Sequence, residues 1–186
     1  PAIAQLLGAA REALRVMGVP DSLDGYQSKN REKAAEIAEA CYRAALALDV
    51  GYINPPANFE HDGQRVRLAD RLLCERLGTC LDLSLLLASM WEQAGLNAVI
   101  VLFRDHALPA VWTQEEHFAE AVLDDPARLR NRLELGHLVC VESTLLCRRG
   151  TTFAQAAESG AGRLRTSGAD GVAIDDGIAI HFQGPA

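Results

Sequence analysis

The chain has 186 residues, 49% of them hydrophobic, and a net charge of −7. That length and apolar content suffice for a sizeable core. The acidic balance removes the electrostatic case for direct nucleic-acid binding by this domain, and no apolar run has the length needed to cross a membrane.

In chain order, Ala2 to Met17 carries apolar side chains at Ile3, Leu6, Leu7, Ala10, Leu14 and Met17. Spacings of three and four predict an amphipathic helix. Gly18, Pro20, Asp21 and Gly25 then break the chain. Residues 1–25 are therefore set apart as an N-terminal helix and linker, an appendage or a contact to a neighbouring domain, and 26–186 as the main domain. A second helix is predicted from about Ser28 to Leu48. Asp49 to Asp62 reads as a loop, with Pro55-Pro56 enforcing an extended path. A short helix around Leu68 to Leu77 leads to Gly78.

Gly78-Thr79-Cys80-Leu81-Asp82 turns from a small-residue break into a long apolar helix ending near Gln93, with Gly95 as its C-terminal cap. Thr79 is a good N-cap residue, and Asp82 can close a capping-box-like pair with it. Cys80 then lies in the first turn, where unpaired N–H groups and the helix dipole favour thiolate over thiol. The apolar run Ala98 to Phe103 suits a buried strand, and His106 to Trp112 reads as the next strand. Gln114 to Arg132 is predicted helical with a break near Pro126. Leu138 to Val141 is a strand that delivers Glu142. A short helix over Thr152 to Glu158 precedes a Gly-rich tail. Val172-Ala173-Ile174 and Ile178-Ala179-Ile180, separated by Asp175-Asp176-Gly177, read as a hairpin with an Asp-Gly turn.

Helices followed by strands predict an α+β fold with the Cys80 helix packed on an antiparallel sheet. A thiol, an imidazole and a carboxylate at Cys80, His106 and Glu142 suggest a Cys-His-acid triad. The competing reading is that Cys80 is a buried packing residue. Backbone N–H of Cys80 is a candidate oxyanion donor. The segment holding Tyr52 and Asn54 is a candidate second donor or substrate-binding loop, with a Pro-rich structural turn as the alternative. Five cysteines, at 41, 74, 80, 140 and 147, form no C-x-x-C pair. The odd count and the lack of a signal peptide argue against a secreted disulfide framework and for a cytoplasmic location. No metal or other cofactor is expected, because the cysteines and His61, His117 and His137 lack ligand-like spacing.

Three blocks together resemble a bacterial transglutaminase-like domain of the papain-like cysteine protease and transglutaminase superfamily, of the type found in large proteins with superfamily-one helicase domains. They are Gly51-Tyr52-Ile53-Asn54-Pro55-Pro56-Ala57-Asn58-Phe59 with Gly63 to Leu68; Gly78-Thr79-Cys80-Leu81-Asp82-Leu83 through Asn97; and His106-Ala107 with Val111-Trp112 and Val141-Glu142-Ser143-Thr144. The resemblance implies that Cys80 is the nucleophile, His106 the base and Glu142 the acid that orients the ring. It implies a hydrolase or acyl transferase acting on a peptide or protein amide, as protease, deamidase or transamidase. It also implies neighbouring domains, such as a helicase, in a longer chain; a start at Pro1 agrees with a processed or excised segment. The chain departs from the family at Asp105, where a glycine is expected, and at Leu108-Pro109, where a proline points to an edge strand or a bulge. The family acid is often Asp. These departures support a second reading, a catalytically inactive binding or scaffold module of a larger nucleic-acid-handling protein.

Overall fold

A computed structural model describes residues 2–54, 65–103, 105–166 and, as backbone, 178–182. Its described residues form a mixed α+β architecture. Helix α1 (Ala2–Val16) lies on α2 (Arg31–Leu46). Leu6, Ala10 and Leu14 of α1 are buried in the same core cluster as Ile37, Cys41 and Trp91. Helix α2 begins three residues later than predicted. Asn30 caps it by accepting from Glu32 N–H at 2.9 Å, and Lys29 takes a left-handed φ of 52° that ends the preceding turn.

Strand β1 (Gly51–Tyr52) pairs in parallel with β2 (Leu77–Gly78), immediately after α3 (Ala69–Glu75). Pro55, Pro56 and His61 lie outside the described residues. Helix α4 (Cys80–Gln93) starts at the capping box that the sequence predicts: Thr79 Oγ1 accepts from Asp82 N–H at 3.2 Å, and Asp82 accepts from Thr79 N–H at 2.9 Å. At its far end Gly95 has φ 83°, the left-handed conformation that glycine supplies without a Cβ clash.

The main sheet is antiparallel, in the order β5-β7-β3-β4-β6. Its strands are β3 (Ala98–Leu102), β4 (Ala107–Trp112), β5 (Val122–Leu123), β6 (Leu138–Cys140) and β7 (Ile178–Phe182). Ala98, Ile100 and Val111 join the cluster under α2 and α4; Val99, Val101, Leu108, Ala110 and Trp112 join a second one with Leu129 and Leu164. Both sheet faces are covered, which explains why β3 reads as a continuous apolar run.

Three expectations change, and a fourth falls partly outside the described residues. Pro109 marks neither an edge strand nor a bulge, since β4 pairs with β3 on one side and β6 on the other. The alternation of its bonds turns the Pro109 nitrogen toward β6, and the β6 ladder stops at the neighbouring pair Ala110 and Cys140. Pro109 C=O still accepts from Val141 N–H at 2.9 Å. The missing donor thus falls where the partner strand leaves the sheet. Secondly, residues 114–132 are not one helix. Phe118 is drawn into the core against Trp112, edge to face at 5.1 Å, so a helix forms only at α5 (Pro126–Glu134), with Asp125 as its cap and Pro126 in its first turn. Thirdly, the helix after Thr152 is α6 (Phe153–Thr166), running through Gly160. A Cβ there would sit 2.6 Å from Cys140 O, so glycine marks backbone-to-backbone packing on β6 and not a helix end. Lastly, the strand at Ile178 lies between β3 and β5; Val172 to Gly177, the other arm and turn of the predicted hairpin, lie outside the described residues.

Candidate active site

Three elements meet at Cys80. Helix α4 places its first residue, Cys80, beside the start of β4, and His106 directly precedes β4. Beyond β6 the chain leaves the sheet: Glu142 N–H donates to Ala156 O of α6 at 2.9 Å. Glu142 then caps a 3-10 helix, Ser143–Cys147, accepting from Thr144 N–H at 3.1 Å and Thr144 Oγ1–H at 2.6 Å. That turn swings its carboxylate to His106. His106 Nε2 lies 3.0 Å from one Glu142 oxygen and 3.1 Å from the other. With Nε2–H committed to the carboxylate, Nδ1 is the ring nitrogen left for the Cys80 thiol, and the two side chains lie close enough to shift each other's pKa.

The charges in this row support one another. Burial opposes ionisation of Cys80 and is its largest single influence; even so, the His106 hydrogen bond, Ala107 N–H, the imidazolium charge and Leu81 N–H hold its pKa below the ordinary thiol value. Burial also opposes protonation of His106, yet hydrogen bonds and charge from Cys80 and Glu142 raise its pKa to about 9. Glu142 is pushed up by its burial, but the bonds from His106 and Thr144 outweigh this and leave its pKa lowered. Each of these shifts favours the charged row of thiolate, imidazolium and carboxylate over the neutral one. Cys80 is 7% exposed, covered but at the surface layer.

The other cysteines differ. Burial pushes Cys41 up to about 12 and Cys147 up to about 11, and raises Cys140 as well. Cys74 is exposed.

Tyr52 is brought to the site. Burial raises its pKa first, followed by the charge of Cys80 and a hydrogen bond with that sulfur. Asn54 is exposed, and the described hydrogen bonds do not bring it to the triad. Among the described residues, no three His, Cys, Asp or Glu side chains cluster as a metal site.

Sequence reasoning missed two polar residues. Ser84 and Ser143 are both fully buried, with their Oγ atoms 3.0 Å apart. Ser84 Oγ lies 2.7 Å from Cys80 O and 3.1 Å from Ala107 O; Ser143 Oγ lies 3.3 Å from Cys80 O. The available signal was a hydroxyl four residues after Cys80, on the same face of an otherwise apolar helix. Asp82 has a second task that its spacing did not reveal: it accepts from Arg67 N–H at 2.7 Å and Arg67 Nη1 at 3.2 Å.

Compared with family models, curated proteins and solved structures, the chain matches none.

Proposed function

We propose that this domain is a cysteine hydrolase or acyl transferase with a transglutaminase-like fold, acting on a peptide or protein amide through a thioester. The observation that carries the proposal is His106 held between the Cys80 thiol and the Glu142 carboxylate. The substrate class follows from the sequence resemblance.

In this reading the Cys80 thiolate attacks the amide carbonyl. Backbone N–H groups of the first turn of α4 stabilise the developing oxyanion, each worth on the order of a few kcal/mol. His106 gives its proton to the departing amine, and Glu142 keeps the ring oriented and offsets its charge. Water or a second amine, deprotonated by His106, then attacks the thioester and releases Cys80. Tyr52 borders the sulfur and contacts the incoming acyl group.

A non-catalytic module beside a helicase is the second reading, and it rests on Asp105 and Pro109. Asp105 pairs with Arg163 at 2.9 Å, and Pro109 falls at the end of the β6 ladder. Neither position displaces His106 from Glu142. The deciding experiment offers glutamine-containing peptides with and without a primary amine. Ammonia release or amine incorporation by the wild type, abolished in a folded Cys80→Ala variant, is the expected result. Equal signals from both proteins would remove the catalytic reading.

A further inference from the structure

The edge of β4 nearest the site is bonded to a helix where a strand would ordinarily lie. Along β4, His106 C=O bonds toward β3, through Phe103 N–H at 2.8 Å, whereas Pro109 C=O bonds toward β6. Backbone alternation therefore turns both polar groups of Ala107 toward the β6 side. There the β6 ladder has already ended. An unpaired buried carbonyl in that position costs free energy comparable to a lost hydrogen bond. Ser84 meets it, with Oγ 3.1 Å from Ala107 O. Ala107 N–H, turned to the same side, favours the Cys80 thiolate. The same peptide edge thus binds the nucleophile and the helix turn that carries it.

Ser143 completes the node from the third element. Two hydroxyl hydrogens, from Ser84 and Ser143, face two backbone carbonyls, Cys80 O and Ala107 O, and each other. Cys80 O already accepts from Ser84 N–H within α4, so Ala107 O is the carbonyl that needs a hydroxyl and Ser84 supplies it, while Ser143 donates to Cys80 O or to Ser84 Oγ. The pair therefore joins the residue carrying the thiol, the residue after His106 and the residue after Glu142.

Resting on the catalytic reading above, we propose that Ser84 and Ser143 are positioning residues of the triad: a buried hydroxyl pair that fixes the Cys80 turn against the His106 strand and the Glu142 turn. Neither touches a reacting atom. They act by keeping Ala107 N–H and the His106 ring on the sulfur.

The test measures the alkylation rate of Cys80 by iodoacetamide against pH, with sites mapped by mass spectrometry, in wild type, Ser84→Ala and Ser143→Ala, beside a thermal melt of each. Both substitutions remove one oxygen and add no volume, so folded variants are expected. At mildly acidic pH, labelling of Cys80 in Ser84→Ala should slow by about tenfold, the effect of one pKa unit. At alkaline pH, where Cys80 is ionised in all three proteins, the rates should converge. Ser143→Ala should show the same pattern to a smaller degree, because Ser84 still donates to Ala107 O. Lower melting temperatures with an unchanged pH profile would make the pair merely structural and overturn the proposal, as would variants that fail to fold. A wild type in which Cys80 titrates like an ordinary thiol is a different failure: it would remove the catalytic reading itself, before any variant is compared.

Discussion

At His106 three opposing influences settle in favour of charge. Burial lowers its proton affinity, while the thiolate on one side and the carboxylate on the other raise it further than burial lowers it. Two predictions follow at this scale. Glu142→Gln should reduce turnover by on the order of 10²–10⁴, less than Cys80→Ala, because the acid orients and stabilises a ring that still reaches the sulfur. The second concerns pH. A group whose folded pKa is raised contributes stability that is fully present below its unfolded value, near 6.5 for histidine, and lost as pH rises through the folded value. For His106 that loss occurs through about 9. Cys80 has the opposite sign: its lowered pKa contributes stability above the ordinary thiol range, lost as pH falls through the folded value. His106→Asn removes both shifts, so in urea denaturation its stability difference from wild type should vary less between neutral pH and about 9 than the His106 contribution alone would give. A difference that falls steeply through about 9 would mean that His106 is charged while Cys80 stays a thiol.

At the scale of elements, the site depends on how α4 begins and on how β6 ends. Asp82, fully buried, closes the cap of α4 and also holds Arg67, whose Nε reaches Glu75 at 2.9 Å. Asp82→Ala removes all three bonds to this carboxylate and leaves a partly buried guanidinium with Glu75 as its remaining partner. A loss of about 2–3 kcal/mol is expected in denaturant unfolding, more than a surface cap supplies. At the other end, Gly160→Ala forces a Cβ toward Cys140 O and pushes α6 from β6. It should cost about 2–3 kcal/mol by overpacking, and it should slow Cys80 labelling, since α6 also anchors Glu142 through Ala156 O. These two elements show what the sequence made legible. The cap of α4 was readable because Thr79 and Asp82 act on backbone only three residues away. The role of Gly160 was not, because its reason is a strand twenty residues earlier, and an isolated glycine reads locally as a breaker. Pro109 misled in the same way: its missing donor is harmless only because β6 stops beside it, and local sequence carries no record of where a neighbour stops. The triad was legible as a set of residue types at plausible element ends; the Ser84 and Ser143 contacts depend on three-dimensional packing alone.

At the scale of the whole molecule, α1 shares its buried face with α2 and α4 and lies in the cluster that backs the Cys80 helix. Leu14→Ala should therefore cost about 2–5 kcal/mol, as a buried leucine truncated in a core does. Because one cluster runs from α1 to the sheet, unfolding should remain a single transition in which α1 and the Cys80 site are lost together. A separate early melt of α1, with Cys80 still selectively labelled, would show that the helix is not part of the unit that supports the site. The sheet's second face is closed by α5 and α6 through Leu129 and Leu164. Substitutions at Leu129 should affect the site only through global stability, whereas those at Leu164 can also reach Glu142 through α6.

The central claim is a thiolate at Cys80, stabilised by His106, in the resting domain. The most direct measurement is the ultraviolet thiolate absorbance of the native protein titrated with pH, as the difference between wild type and Cys80→Ser. The account predicts one thiolate already present at neutral pH, lost only on acidification, with a smaller spectral change through about 9 as His106 deprotonates. A difference spectrum that is empty at neutral pH and rises only through the ordinary thiol range, near 8.5, would contradict it.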